Sequence, residues 1–430
     1  MCAGPRFPIL HQALIFAVPA MAETSNVGAG SMDPGEDTMV NGTSLKRIRA
    51  AVPALPDELV QWDILLRLPA KELLRCRAVC RTWRRLASDA AFLLAHHRRQ
   101  PSLPLVLFRT TDHPYTNDAS VDALDVRRTP AVRRPVLGFD DYNESRRKFT
   151  LHASCDGLLL LSLSNHRFYL CNPATRQWCV LPGLTGGNVA ALYPHRPSGK
   201  YRVLFWKHPK NDRYSVDYYV LALGSCSSQS QGPKARCIGL PVASPSMKKK
   251  NSPARWLIHA CEHPPVLLRD CLHWYTGDVP DSKIVVFDTV AESFRWMQSP
   301  KATSSAAHLL QMDGTLGIGR VDCFTRTAQV LVLQDYEAEV WSSKCTTELP
   351  EKYVLYGKVL SENGDVLVNN RCFYNSKGEL LEKLPWQSVR PRILGLYHKE
   401  SLVSHVFFPR KENGSRVRLL HRRSPRLTAV

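Results

Sequence analysis

The residues best suited to chemistry lie at 259–273, where "HACEH" is followed closely by "CLH". On a strand, His259, Cys261 and His263 point to one face, and Cys271 and His273 could lie on a neighbouring strand. The spacing matches no established zinc module. In a chain with 15 His and 13 Cys, a half-buried strand and its turn is the plainer reading, so no metal is expected. Asp156, Asp270 and Asp313 each stand ahead of an apolar run, two of them followed by Gly. That placement points to turn chemistry rather than to an acid cluster. The chain has no GxSxG elbow, GxxxxGK[ST] phosphate loop, HExxH pair or strand-bound GxGxxG, so no catalytic residue and no cofactor are expected. The run Lys248, Lys249, Lys250 is a weak candidate for substrate binding, since ammonium groups attract acidic or phosphorylated segments as point charges. A solvated loop or a nuclear-import signal is its plainer reading.

The net charge of +19 raises the question of nucleic acid. Residues 52–100 hold nine Lys/Arg against five Asp/Glu, and 410–430 hold seven against one. The rest of the excess is spread thinly, so the chain has a mildly basic body and a basic tail but no basic stripe. With no nucleic-acid module in view, polyanion binding is not the expected main function. Thirteen Cys without a CxxC pair read as reduced thiols, which suits the cytoplasm, the nucleus or both. No run of 18 apolar residues exists, so no membrane partner is expected. The segment "FPILHQALIFAVPAMA" (7–22) has some features of a signal peptide. A start at Met21 or Met32 accounts for it equally well, and the non-secreted reading is preferred.

Those residues need elements to position them. From about residue 100, short runs rich in β-branched and aromatic residues alternate with Gly, Pro, Asn and Asp turns. The segments 156–182, 269–300, 312–350 and 362–385 each run strand, turn, strand, and turn again at Asn-Pro, Asp-Thr or Asn-Ser. They close on Leu-Pro or Ser-Pro. The closing prolines Pro182, Pro241, Pro300, Pro350 and Pro385 are 59, 59, 50 and 35 residues apart, an irregular period that brackets a propeller blade. A blade buries both faces only against neighbours, so several must stack and close. About six or seven blades are expected, with an irregular β-sandwich as the alternative. Trp178, Trp296, Trp341, Tyr169 and Phe287 are then blade-packing residues. Segments 224–236 and 246–253 outgrow the repeat as loops.

Ahead of the repeats lies a different texture. At 55–69, "LPDELVQWDILLRLP" places Leu59, Val60, Ile64, Leu65 and Leu68 on one helical face. Pro69 stops that helix and Lys71 starts the next. In 68–89, "LPAKELLRCRAVCRTWRRLASD" interleaves Leu73, Leu74, Cys76, Val79, Cys80, Trp83 and Leu86 with basic residues. A block of about 45 residues is too small to bury this much apolar surface alone. The surplus reads as a partner interface or as a face covered by the β-domain.

The block "LPDELVQWDILLRLPAKELLRCRAVCRTWRRLASDAAF" resembles an F-box, of the kind found in plant F-box proteins. The rest is similar, more weakly, to the F-box-associated β-repeat domain that follows it there, in which segments such as "NPATRQWCVLP" are typical. One departure shows: from the first Leu-Pro to the second there are 15 residues (55–69), one more than the usual pattern. The resemblance implies an α+β multi-domain chain. Residues 1–51 are a disordered lead-in, 52–97 the helical F-box, 98–409 the all-β propeller-like domain and 410–430 a basic tail. It further implies that the F-box docks on a Skp-family adaptor through Leu55, Pro56, Ile64, Leu65, Leu68, Pro69, Leu73, Val79, Cys80 and Trp83. Through the adaptor it joins a cullin-based, SCF-type ubiquitin ligase, and the β-domain holds a protein substrate. The chain is then a non-catalytic receptor. A propeller enzyme or small-ligand binder, or a basic nucleic-acid-associated protein, are the alternative readings. The former requires a polar cluster at the ring's central opening.

Overall fold

A computed structural model describes residues 59–109, 119–128, 130–140, 149–163, 167–209, 216–224, 235–239, 263–276, 283–300, 307–312, 314–384, 391–408 and 426–428. Its contacts divide the chain into two compact units, 1–99 and 100–430.

The first unit is helical. A π turn, Val60–Ile64, runs into a 3₁₀ turn, Leu65–Arg67. Leu68 is extended at ψ 145°, as a residue before proline must be, and Pro69 then leads into α1, Ala70–Cys76. Helix α2, Arg81–Leu86, is capped by the Cys80 thiol, which accepts from the Trp83 amide at 3.4 Å. Helix α3, Ala90–Arg99, opens on Asp89, whose carboxylate accepts from the Phe92 amide at 2.8 Å. It ends in His96, His97, Arg98 and Arg99, the charge its C-terminal dipole favours. Two cross-links tie the pieces together. The His96 ring meets the Leu68 carbonyl at 2.8 Å, and Arg77 donates twice to the Ala87 carbonyl at 3.0 and 2.6 Å.

The second unit opens with β1 (Leu103–Arg109), β2 (Ala119–Asp125) and β3 (Val132–Asp140). Five antiparallel four-stranded sheets then follow in chain order. They are β4 (Phe149–Cys155), β5 (Leu158–Leu163), β6 (Arg167–Asn172) and β7 (Gln177–Val180); β8 (Asn188–His195), β9 (Lys200–Lys207), β10 (Asp217–Ala222) and β11 (Arg236–Gly239); and β12 (Val266–Leu268), β13 (Cys271–Tyr275), β14 (Lys283–Asp288) and β15 (Ser293–Gln298). The last two are β16 (Ala307–Gln311), β17 (Leu316–Asp322), β18 (Thr327–Asp335) and β19 (Val340–Glu348), then β20 (Gly357–Val359), β21 (Val366–Val368), β22 (Cys372–Tyr374) and β23 (Leu380–Lys383). Strand β24 (Arg392–His398) then returns to pair with β1, and β25 (Arg426–Thr428) pairs with β3. The first sheet is therefore built from both ends of the domain. Arg426–Thr428, expected in a free tail, form its outer edge.

Packing closes these six sheets into a ring. Each pair of neighbours shares an apolar core, and the sixth core joins the last blade to the first. Leu105 and Val121 meet Leu159 and Leu161 between blades one and two. Tyr193 and Trp206 meet Trp274 and Phe287 between three and four. Leu367 and Phe373 meet Val106 and Leu124 between six and one. The six-bladed propeller answers the expectation of six or seven, and the sandwich is set aside because every sheet is buried on two sides by two different neighbours.

The turns explain the repeat in the sequence. The side chains of Asn172, Asp288, Asp335 and Asn375 each fold back onto backbone amides two to four residues ahead, joining the third strand of a blade to the fourth. Trp178, Trp296 and Trp341, on outermost strands, pack against the core shared with the preceding blade.

Candidate functional site

In the helical unit, the structure sorts the expected contact residues by exposure. Leu65, Leu68 and Leu73 are buried, as are Leu66 and Cys76, so they hold the unit together and are not presented at its surface. Ile64 and Trp83 are half-buried, and Pro69, Val79 and Cys80 are exposed. Leu55 and Pro56 lie outside the described residues. Two apolar side chains not expected in the contact set, Leu59 and Trp62, are 46% and 49% exposed, and Val79 is 42% exposed. Helical periodicity put Leu59 on the buried face, but the π turn changes the register. Leu65 N–H reaches the Val60 carbonyl, five residues back. A π turn accommodates one residue more than an α turn. Arg99 donates to the Trp62 carbonyl at 2.9 Å, pinning the backbone that carries the Trp62 ring.

In the β-unit, residues from all six blades line a central cavity of about 580 Å³. Its walls include Ala153, Leu192, Leu267, Leu310, Leu360 and Leu396, with Gln311, Asn363, Asp156 and Glu362 among the polar groups. Asp156 accepts from the Tyr201 hydroxyl at 2.9 Å, and Asp365 accepts from Ser361 Oγ at 2.7 Å. Lys358, on β20, places its Nζ 2.6 Å from where a Cβ on Gly395 would stand. Burial and then the charge of Arg392 lower the Lys358 ammonium to about 8. Beside it, His308 is kept neutral by burial first, then by the charge of Lys358, and its Nε2 meets the Val359 carbonyl at 2.9 Å.

Other polar groups serve the scaffold. Glu292 is 5% exposed and joins blade four to blade three through Arg202 and Arg236, while the Tyr193 hydroxyl donates to it at 3.1 Å. Asp125 would be raised by burial, but the bond and charge of Arg127 and the charge of Arg134 outweigh that and hold it below the usual carboxylate range. His273 is held through both ring nitrogens, to the Val266 carbonyl at 3.2 Å and the Tyr336 hydroxyl at 2.8 Å. His259, Cys261, Asp313 and Lys248–Lys250 lie outside the described residues. Among the described residues no group of three His, Cys, Asp or Glu is placed to hold a metal. Asp156 and Asp270 occupy left-handed turn positions, φ 49° and 58°. No helix among the described residues is long and apolar enough to cross a membrane.

Comparison with known proteins fits both units. Two relatives from Arabidopsis thaliana, both carrying F-box protein names, are each 25% identical. One matches over 403 residues, 82% of this chain and 92% of its own length; the other over 299 residues, 67% and 77%. Among solved structures, TolB from Acinetobacter baumannii aligns over 71% of this chain and 70% of that one, at 15% identity and a TM-score of 0.38. The F-box-like family model matches residues 52–99. The model described as the F-box associated beta propeller domain matches 137–377, more than half of the chain. The chain therefore belongs to the F-box associated β-propeller family, with an F-box-like helical segment ahead of its six blades.

Proposed function

We propose that this protein is the substrate-recognition subunit of an SCF-type ubiquitin ligase. In this reading the helical unit docks on a Skp-family adaptor and, through it, on a cullin. The propeller presents a protein substrate, and other subunits supply the chemistry, so the chain itself is non-catalytic. The observation that carries the reading is the pairing of an F-box-like segment at 52–99 with an F-box associated propeller in one chain. The exposed Trp62, Val79 and Leu59 support it, because apolar groups left at the surface of so small a helical unit suit a protein interface. Action in the cytoplasm, the nucleus or both follows from that role. Lys248, Lys249 and Lys250 remain the first loop to test for substrate contact.

The test is co-purification of the full chain with a recombinant Skp-family adaptor, beside a Trp62→Asp, Val79→Asp double variant. A stable wild-type complex that the double variant loses, while its propeller melts as in wild type, supports the assignment. No complex with any adaptor of the family overturns it.

A further inference from the structure

We propose that the axis of the propeller is an anion-binding site, in which the Lys358 ammonium receives the carboxylate or phosphate of a small organic molecule. This goes beyond the receptor reading and stands independently of adaptor binding.

Position comes first. Lys358 belongs to blade six, Gly395 to blade one and Pro264 to the entry of blade four. A Cβ on Gly395 would stand 2.6 Å from Lys358 Nζ and 3.1 Å from Pro264 Cδ. Blades one and four face each other across a six-membered ring, so the ammonium reaches the axis. Gly395 has φ +72°, a conformation that suits glycine, and its missing side chain leaves the space the ammonium occupies.

Charge comes second. The groups acting on Lys358 and on His308 beside it are basic: Arg392 lowers Lys358, and Lys358 and His263 lower His308. The Lys358 side chain makes no hydrogen bond or ion pair among the described residues. A half-buried cation with no counter-ion among the described residues is costly, and an arriving anion lowers that cost.

Space comes third. The adjoining cavity of about 580 Å³ falls within the roughly 300–1,000 Å³ range of small-molecule sites. Pro264 and Leu396, next to Gly395, line it. Its apolar wall suits the body of an organic anion. Two of its acids, Asp156 and Asp365, are already engaged by Tyr201 and Ser361.

The experiment melts the full chain at pH 7.5 in inorganic phosphate or succinate, against chloride at equal ionic strength. Comparison with Lys358→Met and Arg392→Gln removes the general salt effect. In wild type, one or both anions should raise the Tm by about 2–4 °C. Lys358→Met should abolish the rise and Arg392→Gln should reduce it. Which probe acts assigns phosphate or carboxylate as the recognised group. A cooperative melt in chloride, close to that of wild type, shows that the variant propellers fold; it does not depend on the adaptor reading. If Lys358→Met does not fold, Arg392→Gln alone decides. No anion effect in wild type, or an equal effect in wild type and the folded variants, overturns the proposal.

Discussion

The Leu65 amide donates to the carbonyl of Val60, five residues back, making a π turn at the start of the helical unit. The turn leaves Leu59 and Trp62 exposed while Leu65 is buried. An interface that uses this surface should depend on Trp62. Trp62→Ala is expected to weaken adaptor binding by about 2 kcal/mol and leave the unit's hydrogen-exchange protection unchanged, with affinity read by calorimetry.

Leu65→Ala and Leu73→Ala should fail differently. Both side chains are fully buried, and truncating such a leucine costs about 2–5 kcal/mol, a large fraction of the stability of so small a unit. Adaptor binding is then lost through unfolding. Limited proteolysis should show the helical unit cleaved while the propeller stays intact; a resistant unit that still fails to bind would place these leucines in the contact itself.

Glu292 should matter to the ring. Removing it leaves Arg202, only 20% exposed, facing Arg236 without its counter-ion. Glu292→Ala is expected to destabilise the propeller by about 3 kcal/mol, read as a lower urea midpoint. Glu292→Gln should fall between, since it still accepts from the Tyr193 hydroxyl.

Acid should loosen the propeller before it reaches the carboxylates. Burial lowers both His152 and His273 to about 4, against about 6.5 in an unfolded chain. The unfolded state therefore binds more protons between these values. The stabilisation is complete above about pH 6.5 and is lost as pH falls through 4. The urea midpoint should drop between pH 7 and 5 in wild type and drop less in His273→Gln; equal drops would remove His273 from the account.

The turns made most of the ring legible. Asn172, Asp288, Asp335 and Asn375 bond their own backbone, and that local chemistry leaves a recurring pattern of residue types in the chain. Each repeat read from sequence began at a blade's second strand, because the innermost strands β4, β12, β16 and β20 carry no matching turn signal. Blade one leaves no such repeat in the sequence for a related reason: its innermost strand, β24, lies nearly 300 residues from β1. In the helical unit, apolar type was legible but side was not. A 3.6-residue period puts Leu59 and Leu65 on one face, and the π turn breaks that period. Lys358 stood out in no motif, since its neighbours Gly395 and Pro264 come from other blades.

The pairing of β24 with β1 also sets the order in which a new chain can mature. The helical segment and blades two to six leave the ribosome with blade one lacking its innermost strand, and the interface between blades six and one stays incomplete until Arg392–His398 emerge. Phe407 and Phe408, which join the core between blades two and three, come later still. A chain ending before Arg392 leaves the β1 edge bare and the core between blades six and one without Ile393, an exposed strand edge open to pairing with other chains.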